Sequence, residues 1–349
     1  MANFEQPIQQ ALSALAAGEH LGEELSQAAF GQLMRGEATP VQTAALLIGL
    51  RVKGETAEEV AGAAAALREA MVRVPLNSGC APIDTCGTGG GKVPTFNVST
   101  AAALVAVAAG ATVAKHGNRS YTSKCGSADV VEALGMPSQL EPEAAGRALT
   151  ERGMAFLFAP RYHPAMRFVG PVRQQLGVPT IMNILGPLLN PAGVRRQVVG
   201  VADAARGPLL AAALRQLGAE HALVVHGQVG MDEIAPWGPT TVWEVTDHEV
   251  REWTLEPEDY GLSQPDLAKL SGGEPPHNAA RVRRLLSDPR QDPVGRDTVL
   301  LNAGAALYVD GVARSMEEGV ERARIALEEG AAAAALGRLA EQPGLSTSA

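Results

Sequence analysis

The sequence predicts an α/β protein in which a small, all-helical N-terminal domain precedes a larger α/β domain with a mostly parallel central sheet. Apolar residues recur at helical spacing across residues 1–78, whereas short apolar runs alternate with helical stretches across residues 79–349. Strands that alternate with helices are typical of a parallel sheet covered on both faces. The length of 349 residues also suits two domains, because one domain usually takes roughly 100 to 200 residues.

The composition is globular and acidic. Hydrophobic residues make up 46% of the chain and charged residues 19%, and 29 Lys and Arg against 38 Asp and Glu give a formal net charge of −9. Proteins that bind nucleic acids normally carry a basic surface, so we do not expect nucleic acid as a partner. No apolar run reaches the about 18 residues that a membrane-spanning helix needs, so we expect no membrane partner either.

The cysteines point to a reducing compartment. Cys80, Cys86 and Cys125 are odd in number and have no regular spacing, so they predict neither a disulfide framework nor a zinc site. The N-terminus lacks the basic and apolar regions of a signal peptide. The expected location is therefore the cytoplasm.

The N-terminal region carries a series of helix signals. Ile8, Leu12 and Leu15 recur at helical spacing, a helix begins at residues 39–40, and residues 56–59 form a capping box that opens another helix. We find no catalytic motif in this region. An apolar stripe on such a domain is commonly a dimer face, although an internal core accounts for it equally well.

The larger domain begins with an apolar lead-in at Ile83. Further strands are predicted at residues 111–114, 154–158, 198–201, 222–227 and 241–245. Between them, a segment of about residues 165–192 is expected to cross back to the helical domain. Residues 246–276 are expected to be surface elaboration, residues 299–308 a buried helix, and residues 317–339 one long final helix. Ligands of such a sheet bind beyond the carboxyl ends of its strands.

A glycine-rich stretch follows the first of these strands. It reads Ile-Asp-Thr-Cys-Gly-Thr-Gly-Gly-Gly-Lys over residues 83–92 and continues through Asn97, Ser99 and Thr100 into an Ala- and Val-rich run. This pattern predicts a strand, a loop and a helix N-terminus. Glycines let the backbone approach a ligand closely, and the free N–H groups at a helix N-terminus favour phosphate.

The two best-known glycine fingerprints do not fit this stretch. A P-loop would need Gly in place of Cys86 and Ser or Thr in place of Val93, and a dinucleotide fingerprint would need Gly in place of Lys92. Taken alone, the stretch is either a phosphate loop of another kind or a plain turn capped by Asn97 or Ser99.

Polar motifs follow several of the predicted strands. Residues 115–127 hold three cations, six amide or hydroxyl side chains and two glycines, which suits a phosphorylated ligand because charge-assisted hydrogen bonds are strong. Arg173 could hold a carboxylate bidentately. Asp232 and Glu233 suit Mg²⁺, which typically takes one or two carboxylates together with substrate phosphates. A solvated basic loop, a surface arginine and a surface acidic pair are the respective alternatives.

Together these motifs form an ordered set. It comprises Gly-Thr-Gly-Gly at 87–90, Thr-Phe-Asn-Val-Ser-Thr at 95–100, Lys-His-Gly-Asn-Arg at 115–119, Gly-Ser-Ala-Asp at 126–129, Tyr-His-Pro-Ala-Met at 162–166, Asn-Ile-Leu-Gly-Pro-Leu-Leu-Asn-Pro at 183–191 and Gly-Met-Asp-Glu at 230–233. Over nearly the whole chain, the set closely resembles the anthranilate phosphoribosyltransferase family. The resemblance implies a fold shared with pyrimidine-type nucleoside phosphorylases. It also implies transfer of phosphoribose from 5-phosphoribosyl 1-diphosphate (PRPP) to the amine of anthranilate, in L-tryptophan biosynthesis, by a Mg²⁺-dependent homodimer joined through the helical domain.

The resemblance also implies roles for individual residues. PRPP would be bound by Gly87, Gly90, Gly91, Thr95, Asn97, Val98, Ser99, Thr100, Lys115, His116, Gly117, Asn118, Arg119, Ser120, Tyr121, Thr122, Ser123 and Ser127. Mg²⁺ would be held by Ser99, Asp232 and Glu233. Anthranilate would be bound by Gly87, Asn118, His163 and Arg173, with Tyr162 and Pro187 shaping its path. His116 is a candidate proton acceptor. The family usually reads Gly-Thr-Gly-Gly-Asp, and here Gly91 replaces that Asp beside the donor, which removes a carboxylate that could bind the metal or the ribose.

Two other functions are compatible with the same implied fold. A pyrimidine-type nucleoside phosphorylase would use phosphate and a nucleoside, and Asn118, Arg173 and the run at 162–164 argue against it. A non-catalytic nucleic-acid-binding relative is opposed by the net charge of −9 and by the intact pair Asp232 and Glu233.

Overall fold

The N-terminal region is helical, as predicted. The structure is a computed structural model that describes residues 6–120 and 124–341. Its first helices are α1 (Pro7–Ala16), α2 (Gly22–Arg35), α3 (Pro40–Lys53) and α4 (Ala57–Ala70). The capping box predicted at residues 56–59 is confirmed, because the Thr56 side chain accepts from the backbone N–H of Glu59 and the Glu59 side chain accepts from that of Thr56.

The larger region contains a mostly parallel sheet. Its strands are β1 (Asp84–Gly87), β2 (Val113–Gly117), β3 (Met154–Phe158), β4 (Arg196–Gly200), β5 (His221–Gly227), β6 (Thr240–Thr246) and β7 (Val250–Leu255). The main sheet has the order β1-β4-β5-β6-β7, in which β1, β4 and β5 are parallel and β6 and β7 are antiparallel. β2 and β3 pair in parallel, and a parallel bridge between Ile83 and Val113 links them to β1. The predicted fold class is confirmed.

In the part of the chain that the structure describes, eleven further α-helices are interspersed with the strands and follow them. They are α5 (Val98–Ala108), α6 (Ser127–Ala133), α7 (Pro142–Arg152), α8 (Ala159–Tyr162), α9 (Gly170–Leu176), α10 (Met182–Leu185), α11 (Gly207–Gln216), α12 (Pro275–Ser287), α13 (Pro293–Asp310), α14 (Met316–Glu328) and α15 (Ala331–Ala340). α5 and α13 are rich in small apolar residues and pack against each other in the largest apolar cluster. α13 contains the predicted buried helix at residues 299–308. Across the described ranges, no helix is long and apolar enough to cross a membrane.

Parallel pairing brings separate segments to one edge of the sheet. Gly87 at the end of β1 pairs with Gly200 at the end of β4, and Gly200 pairs in turn with Val225 of β5. The glycine-rich loop after β1 and the acidic segment after β5 therefore begin at the same edge. This carboxyl edge is where ligands of open parallel sheets bind.

The segment between β3 and β4 packs against the N-terminal helices. Val169, Ile181 and Leu185 belong to the apolar cluster that also contains Ile8 and Leu50. Burial of these aliphatic side chains, at roughly 25 cal/mol per Å² of apolar surface, holds the two regions together. The division of the chain near residue 78 stays a prediction.

One predicted strand is displaced. The sequence places a strand at residues 111–114, but β2 runs from Val113 to Gly117 and so includes Lys115 and His116. The prediction ended early because charged side chains normally mark the end of a buried strand. Here Lys115 is only 1% exposed, because it finds hydrogen-bond partners at the strand end.

Two other predictions are wrong. Residues 246–276 are not surface elaboration, because β7 extends the sheet and Leu262 and Leu270 are buried. Residues 317–339 are not one helix, because α14 ends at Glu328 and α15 begins at Ala331. Gly330 between them has φ of +75°, a left-handed conformation that ends a helix and favours glycine.

Candidate active site

A cavity of about 720 Å³ lies at the carboxyl edge of the sheet. Its wall consists of the glycine-rich loop and the start of α5, the end of β2 and residues after it, the acidic pair 232–233, and residues 271–273 with Asn278. Among the predicted PRPP-binding residues, the cavity is lined by Gly87, Gly90, Gly91, Thr95, Asn97, Ser99, Lys115, His116, Gly117, Asn118 and Ser127. The three predicted metal ligands, Ser99, Asp232 and Glu233, line it as well.

Other predicted PRPP-binding residues lie away from the cavity wall. The side chains of Val98 and Thr100 are fully buried in α5. Arg119 is directed to the surface, where it forms ion pairs with Asp129 at 2.6 Å and Glu132 at 2.8 Å. Ser120 is not part of the wall either, and Tyr121, Thr122 and Ser123 lie outside the described residues.

The predicted anthranilate-binding residues separate into two groups. Gly87 and Asn118 line the cavity, whereas His163 and Arg173 do not. His163 is buried directly after α8, and Arg173 is half-buried on α9. Tyr162 is fully buried and donates its hydroxyl to the carbonyl of Leu140 at 2.8 Å, so it supports the fold at this point.

The glycine-rich loop packs directly on the acidic pair. Gly89 and Gly90 have φ of +69° and +85°, which only glycine adopts without strain. At Gly91, a Cβ would lie 2.6 Å from Oδ1 of Asp232. The loop therefore has glycines both for its turn and for its close approach to a carboxylate.

The acidic pair lies beside the glycine-rich loop and the start of α5. The backbone N–H groups of Gly89 and Ser99 stabilise the charged forms of the Asp232 and Glu233 carboxylates, respectively. Burial raises the pKa of Asp232, and burial together with the charge of Asp232 raises the pKa of Glu233 to about 8. Two neighbouring carboxylates that are only partly exposed to solvent repel each other, and a proton or a cation relieves this repulsion.

The oxygen ligands of this corner fit Mg²⁺. Two carboxylates and the hydroxyl of Ser99 face one cavity, and Mg²⁺ typically takes one or two carboxylates and fills its remaining positions with water and substrate phosphates. Within residues 6–120 and 124–341, no group of three or more His, Cys, Asp and Glu side chains forms a metal cage. The residues thus fit an ion that is shared with a phosphorylated substrate.

Lys115 is a buried cation between the glycine-rich loop and α5. Its Nζ donates to the carbonyl of Thr85 at 2.6 Å and to Oγ of Ser99 at 3.1 Å. Burial lowers the pKa of Lys115, and the nearby carboxylate of Asp84 opposes this shift. Asp84 is itself held by the backbone N–H of His116 at 3.2 Å. Both hydrogen-bond acceptors of Lys115 are uncharged, so they do not neutralise its ammonium group. Lys115 lines the cavity and therefore presents a positive charge there.

His116 forms a pair with His163. Their Nε2 atoms are 3.2 Å apart and their ring centroids are 5.1 Å apart. Burial lowers the pKa of His116 to about 3, with a smaller contribution from His163, and burial lowers the pKa of His163 to about 4. Both rings are neutral at pH 7, so His116, which lines the cavity, is a weak base.

Asn278 was not predicted from the sequence as a residue of the cavity, and it joins two of the cavity walls. Its Nδ2 donates to Oδ1 of Asn97 at 3.0 Å, and its Oδ1 accepts from the backbone N–H of Gly273 at 2.7 Å. The side chain of Asn97 makes no capping bond to α5, in contrast to the capped turn considered from the sequence. Asn97 instead connects the start of α5 to Asn278.

The other missed wall is the segment that contains Gly272 and Gly273. The carbonyl of Leu270 accepts from the N–H of Phe96 at 2.8 Å, and a Cβ on Gly272 would lie 2.8 Å from the carbonyl oxygen of Thr95. A pair of glycines after a buried leucine was the available signal, because paired glycines mark close backbone approach.

Comparison with known protein families and sequences shows which family this chain belongs to. Residues 80–333 match the model of the a/b domain of a glycosyl transferase family, and residues 9–71 match the model of its helical bundle domain. An anthranilate phosphoribosyltransferase from Rubrobacter xylanophilus is 51% identical over 331 residues, which cover 95% of this chain and 96% of that protein. The chain belongs to the anthranilate phosphoribosyltransferase family.

Solved anthranilate phosphoribosyltransferase structures have the same fold. The enzyme from Thermus thermophilus is 44% identical, with a TM-score of 0.88 over 95% of this chain and 98% of that one. The enzyme from Saccharomyces cerevisiae in complex with PRPP and Mg is 28% identical, with a TM-score of 0.85 over 95% of this chain and 96% of that one. The family resemblance inferred from the motifs is therefore confirmed.

At position 91 this chain has Gly where the anthranilate phosphoribosyltransferase family usually has Asp, and the structure shows what a side chain there would contact. An Asp after Gly-Thr-Gly-Gly would place a third carboxylate beside the acidic pair. In this chain, Oδ1 of Asp232 lies 2.6 Å from the Cβ position of residue 91, so a side chain there requires Asp232 to move.

Proposed function

We propose that this chain transfers the phosphoribosyl group of PRPP to anthranilate, giving N-(5-phosphoribosyl)anthranilate and diphosphate in L-tryptophan biosynthesis. One observation carries the proposal. A single cavity gathers a glycine-rich loop, a helix N-terminus, Lys115 and the pair Asp232 and Glu233, which are the groups that a diphosphate with Mg²⁺ requires. The identity of 51% to a named anthranilate phosphoribosyltransferase supports the choice of acceptor.

The protein's part in the reaction is mainly electrostatic. The bond between C1 of ribose and the diphosphate oxygen breaks, and a bond between C1 and the amine nitrogen forms. Lys115 and the positive end of the α5 dipole stabilise the negative charge that develops on the departing diphosphate. Ser99, Asp232 and Glu233 would hold Mg²⁺, which supplies further positive charge to the diphosphate when it is bound.

The acceptor amine needs little base catalysis. An aromatic amine is already neutral at pH 7, so positioning it against C1 contributes much of the rate. This agrees with the neutral, weakly basic state of His116, whose pKa is lowered to about 3 by burial. After the new bond forms, the amine proton leaves for solvent or diphosphate, and the part of His116 in this step stays a prediction.

A fluorescence assay tests the proposed function. We expect anthranilate fluorescence to fall when the protein is mixed with anthranilate, PRPP and Mg²⁺, and to stay constant when PRPP, Mg²⁺ or the protein is omitted. Constant fluorescence at every Mg²⁺ concentration would refute the proposal. Phosphate-dependent cleavage of thymidine or uridine by the same preparation would favour the pyrimidine-type phosphorylase instead.

Replacing Arg173 with alanine is expected to raise KM for anthranilate by at least about 30-fold, because loss of a charge-paired contact costs about 2 to 5 kcal/mol. Arg173 lies on α9, in the segment that joins the two regions. Steady-state kinetics with each substrate varied in turn measures the effect. KM for PRPP should change by less than about twofold, because the lost contact is assigned to anthranilate.

Arg167→Ala is the matched control for this experiment. Arg167 lies in the same segment, exposed, with its guanidinium 4.6 Å from the ring centre of Phe168. We expect wild-type kinetics for this variant. Equal loss of affinity for both substrates in Arg173→Ala would contradict the assignment of Arg173 to anthranilate.

We also propose that the protein is a homodimer joined through α3 of the helical region. Val41 and Val52 are 78% and 81% exposed, and Ala45 and Ile48 lie between them on the same helix face. Exposed apolar stripes of this kind commonly pair with a second copy.

The double substitution Val41→Glu with Val52→Glu is expected to convert the dimer to monomer, because it buries two like charges against their symmetry mates. Analytical ultracentrifugation at several concentrations measures the change. Ile325→Glu provides the control, since Ile325 is 46% exposed on α14, far along the chain from α3. Wild-type sedimentation of the double variant would exclude this face.

We place the reaction in the cytoplasm. The three cysteines are free thiols, which supports a reducing compartment. Cell fractionation tests this location, and recovery of the activity outside the cytoplasmic fraction would contradict it.

A further inference from the structure

The loop between β5 and β6 is fixed on both sides of its acidic pair. On one side, the N–H of Met231 donates to the carbonyl of Gly227 at 3.0 Å, and the N–H of Gly227 donates to the carbonyl of Met231 at the same distance. On the other side, Ile234 is bonded to the side chain of Asn302. Asp232 and Glu233 are the residues left between these two fixed points.

The side-chain amide of Asn302 pairs with both backbone groups of Ile234, as the backbone of a neighbouring β-strand would. Its Oδ1 accepts from the backbone N–H of Ile234 at 3.0 Å, and its Nδ2 donates to the carbonyl of Ile234 at 2.9 Å. Nδ2 also donates to the carbonyl of Thr298 at 2.8 Å, one turn earlier in α13. Both amide hydrogens are therefore used, and the orientation of the amide is set by its three partners.

The surroundings of Asn302 make these bonds obligatory. Asn302 is 4% exposed, and its neighbours Leu301 and Ala303 in α13 are fully buried. A buried amide without partners costs about 1 to 3 kcal/mol, and the N–H and C=O groups of Ile234 would carry similar costs without Asn302. An aspartate lacks the two donors, and a leucine lacks both donor and acceptor, so neither can replace the contact.

We propose that Asn302 is a positioning residue for the acidic pair: by holding Ile234 on the rigid helix α13, it sets the direction in which Asp232 and Glu233 present their carboxylates to Mg²⁺ and the diphosphate of PRPP. The proposal rests on the proposed function. Outer groups that orient metal ligands typically change metal affinity by about 10- to 100-fold when they are removed. Asn302 belongs to this class although it contacts no substrate.

A control residue separates positioning from simple stability. Thr298 lies on the same helix, is fully buried, and donates its hydroxyl to the carbonyl of Val294 at 2.7 Å within the helix. Thr298→Val removes a buried hydrogen bond from α13 but leaves the amide of Asn302 and the backbone of Ile234 in place. It thus reports the effect of weakening α13 alone.

The test measures PRPP binding as a function of Mg²⁺ concentration. Calorimetric titrations with PRPP are made on the wild type, Asn302→Leu, Asn302→Ser and Thr298→Val, and Mn²⁺ binding is followed by electron paramagnetic resonance in parallel. We expect both Asn302 variants to need at least about 10-fold more Mg²⁺ for half-maximal PRPP binding, with KM for anthranilate unchanged. Thr298→Val should retain the wild-type Mg²⁺ dependence.

The outcomes separate this inference from the proposed function. If the wild type binds PRPP with Mg²⁺ and the folded Asn302 variants show the dependence of Thr298→Val, Asn302 is a scaffold residue and the inference is overturned. If the wild type neither binds PRPP with Mg²⁺ nor consumes anthranilate, the proposed function itself fails. Asn302→Ser leaves room for water beside Ile234, so it supplies the comparison if Asn302→Leu does not fold; if neither folds while Thr298→Val does, Asn302 acts on folding and the inference is also overturned.

Discussion

Lys115→Met lowers kcat/KM for PRPP by at least about 30-fold, because removal of a buried charge that faces a charged partner costs about 2 to 5 kcal/mol. In the present structure the ammonium group bonds to a carbonyl and a hydroxyl, at 2.6 Å and 3.1 Å. Its charge is therefore available to a diphosphate in the cavity. The effect should appear in both kcat and KM, since the leaving group carries negative charge before and during bond cleavage.

The fold should survive this substitution. Burying an ammonium group is costly, so its removal regains that cost, but it also leaves the buried carboxylate of Asp84 without its nearby cation, and the loss of one partner of a buried pair typically costs about 3 to 5 kcal/mol. Methionine has an unbranched chain of nearly the same length, so packing is kept. Thermal unfolding of Lys115→Met is therefore expected at a lower temperature than that of the wild type but still as one cooperative transition, and a loss of cooperativity would show that Lys115 mainly supports the fold.

Lys124→Met is the matched control for Lys115→Met. Lys124 also lines the cavity but is exposed, where water screens its charge. Interactions of exposed charges are worth about 0 to 1 kcal/mol, so we expect less than about a fivefold change. Equal losses in the two lysine variants would mean that general positive charge, and not the buried cation, supports PRPP binding.

The second large effect is expected from the double substitution Asp232→Asn with Glu233→Gln. It keeps the shape of both side chains but removes both carboxylates as ligands for a cation, and we expect kcat/KM for PRPP to fall at least about 100-fold, since hydrogen bonds and contacts of charged groups contribute about 1.5 to 3 kcal/mol each. The loss should be partly recovered by raising the Mg²⁺ concentration, because ligand affinity and not the fold is damaged.

An adjacent acidic pair elsewhere in the chain provides the control. Glu258 and Asp259 are neighbouring, exposed acids in a short turn after β7. Glu258→Gln with Asp259→Asn replaces one Asp and one Glu by their amides, as the double substitution at 232–233 does. Wild-type Mg²⁺ dependence is expected for this control, and a shift equal to that of the 232–233 variant would indicate a nonspecific effect of charge.

Features encoded by neighbouring residues could be predicted from the sequence. The capping box at Thr56 and Glu59 lies within four residues, and the glycine-rich loop precedes α5 directly. Asp232 and Glu233 could be placed at the same edge as this loop because both follow parallel strands. Local patterns and one rule of sheet topology thus located much of the cavity.

Contacts between distant residues could not be predicted in this way. Asn278 reaches Asn97 across 181 residues, and Asn302 reaches Ile234 across 68 residues. Neither asparagine belongs to a local motif, although a lone Asn within the apolar run of α13 is itself a sign of a buried partner. The segment 271–273 was missed for the same reason, since its role depends on the close approach of Gly272 to Thr95.

The predicted ends of two elements were wrong because the residues there are compatible with more than one conformation. Lys115 and His116 looked like a loop because they are polar, yet they extend β2 into the site. Gly330 lies within the single helix predicted at residues 317–339, yet its φ of +75° separates α14 from α15. At Lys115 and His116 the tertiary environment decides the conformation, whereas at Gly330 the intrinsic preference of glycine for the left-handed region does.

The central claim is that this cavity joins C1 of PRPP to the amine of anthranilate. It is tested most directly by a reaction of the wild-type protein with PRPP, Mg²⁺ and anthranilate labelled with ¹⁵N, followed by NMR and mass spectrometry of the product. We predict scalar coupling between the label and the anomeric proton, with one diphosphate released for each bond formed. Release of ribose 5-phosphate without a carbon–nitrogen bond, or attachment of the sugar at the carboxylate, would contradict the account.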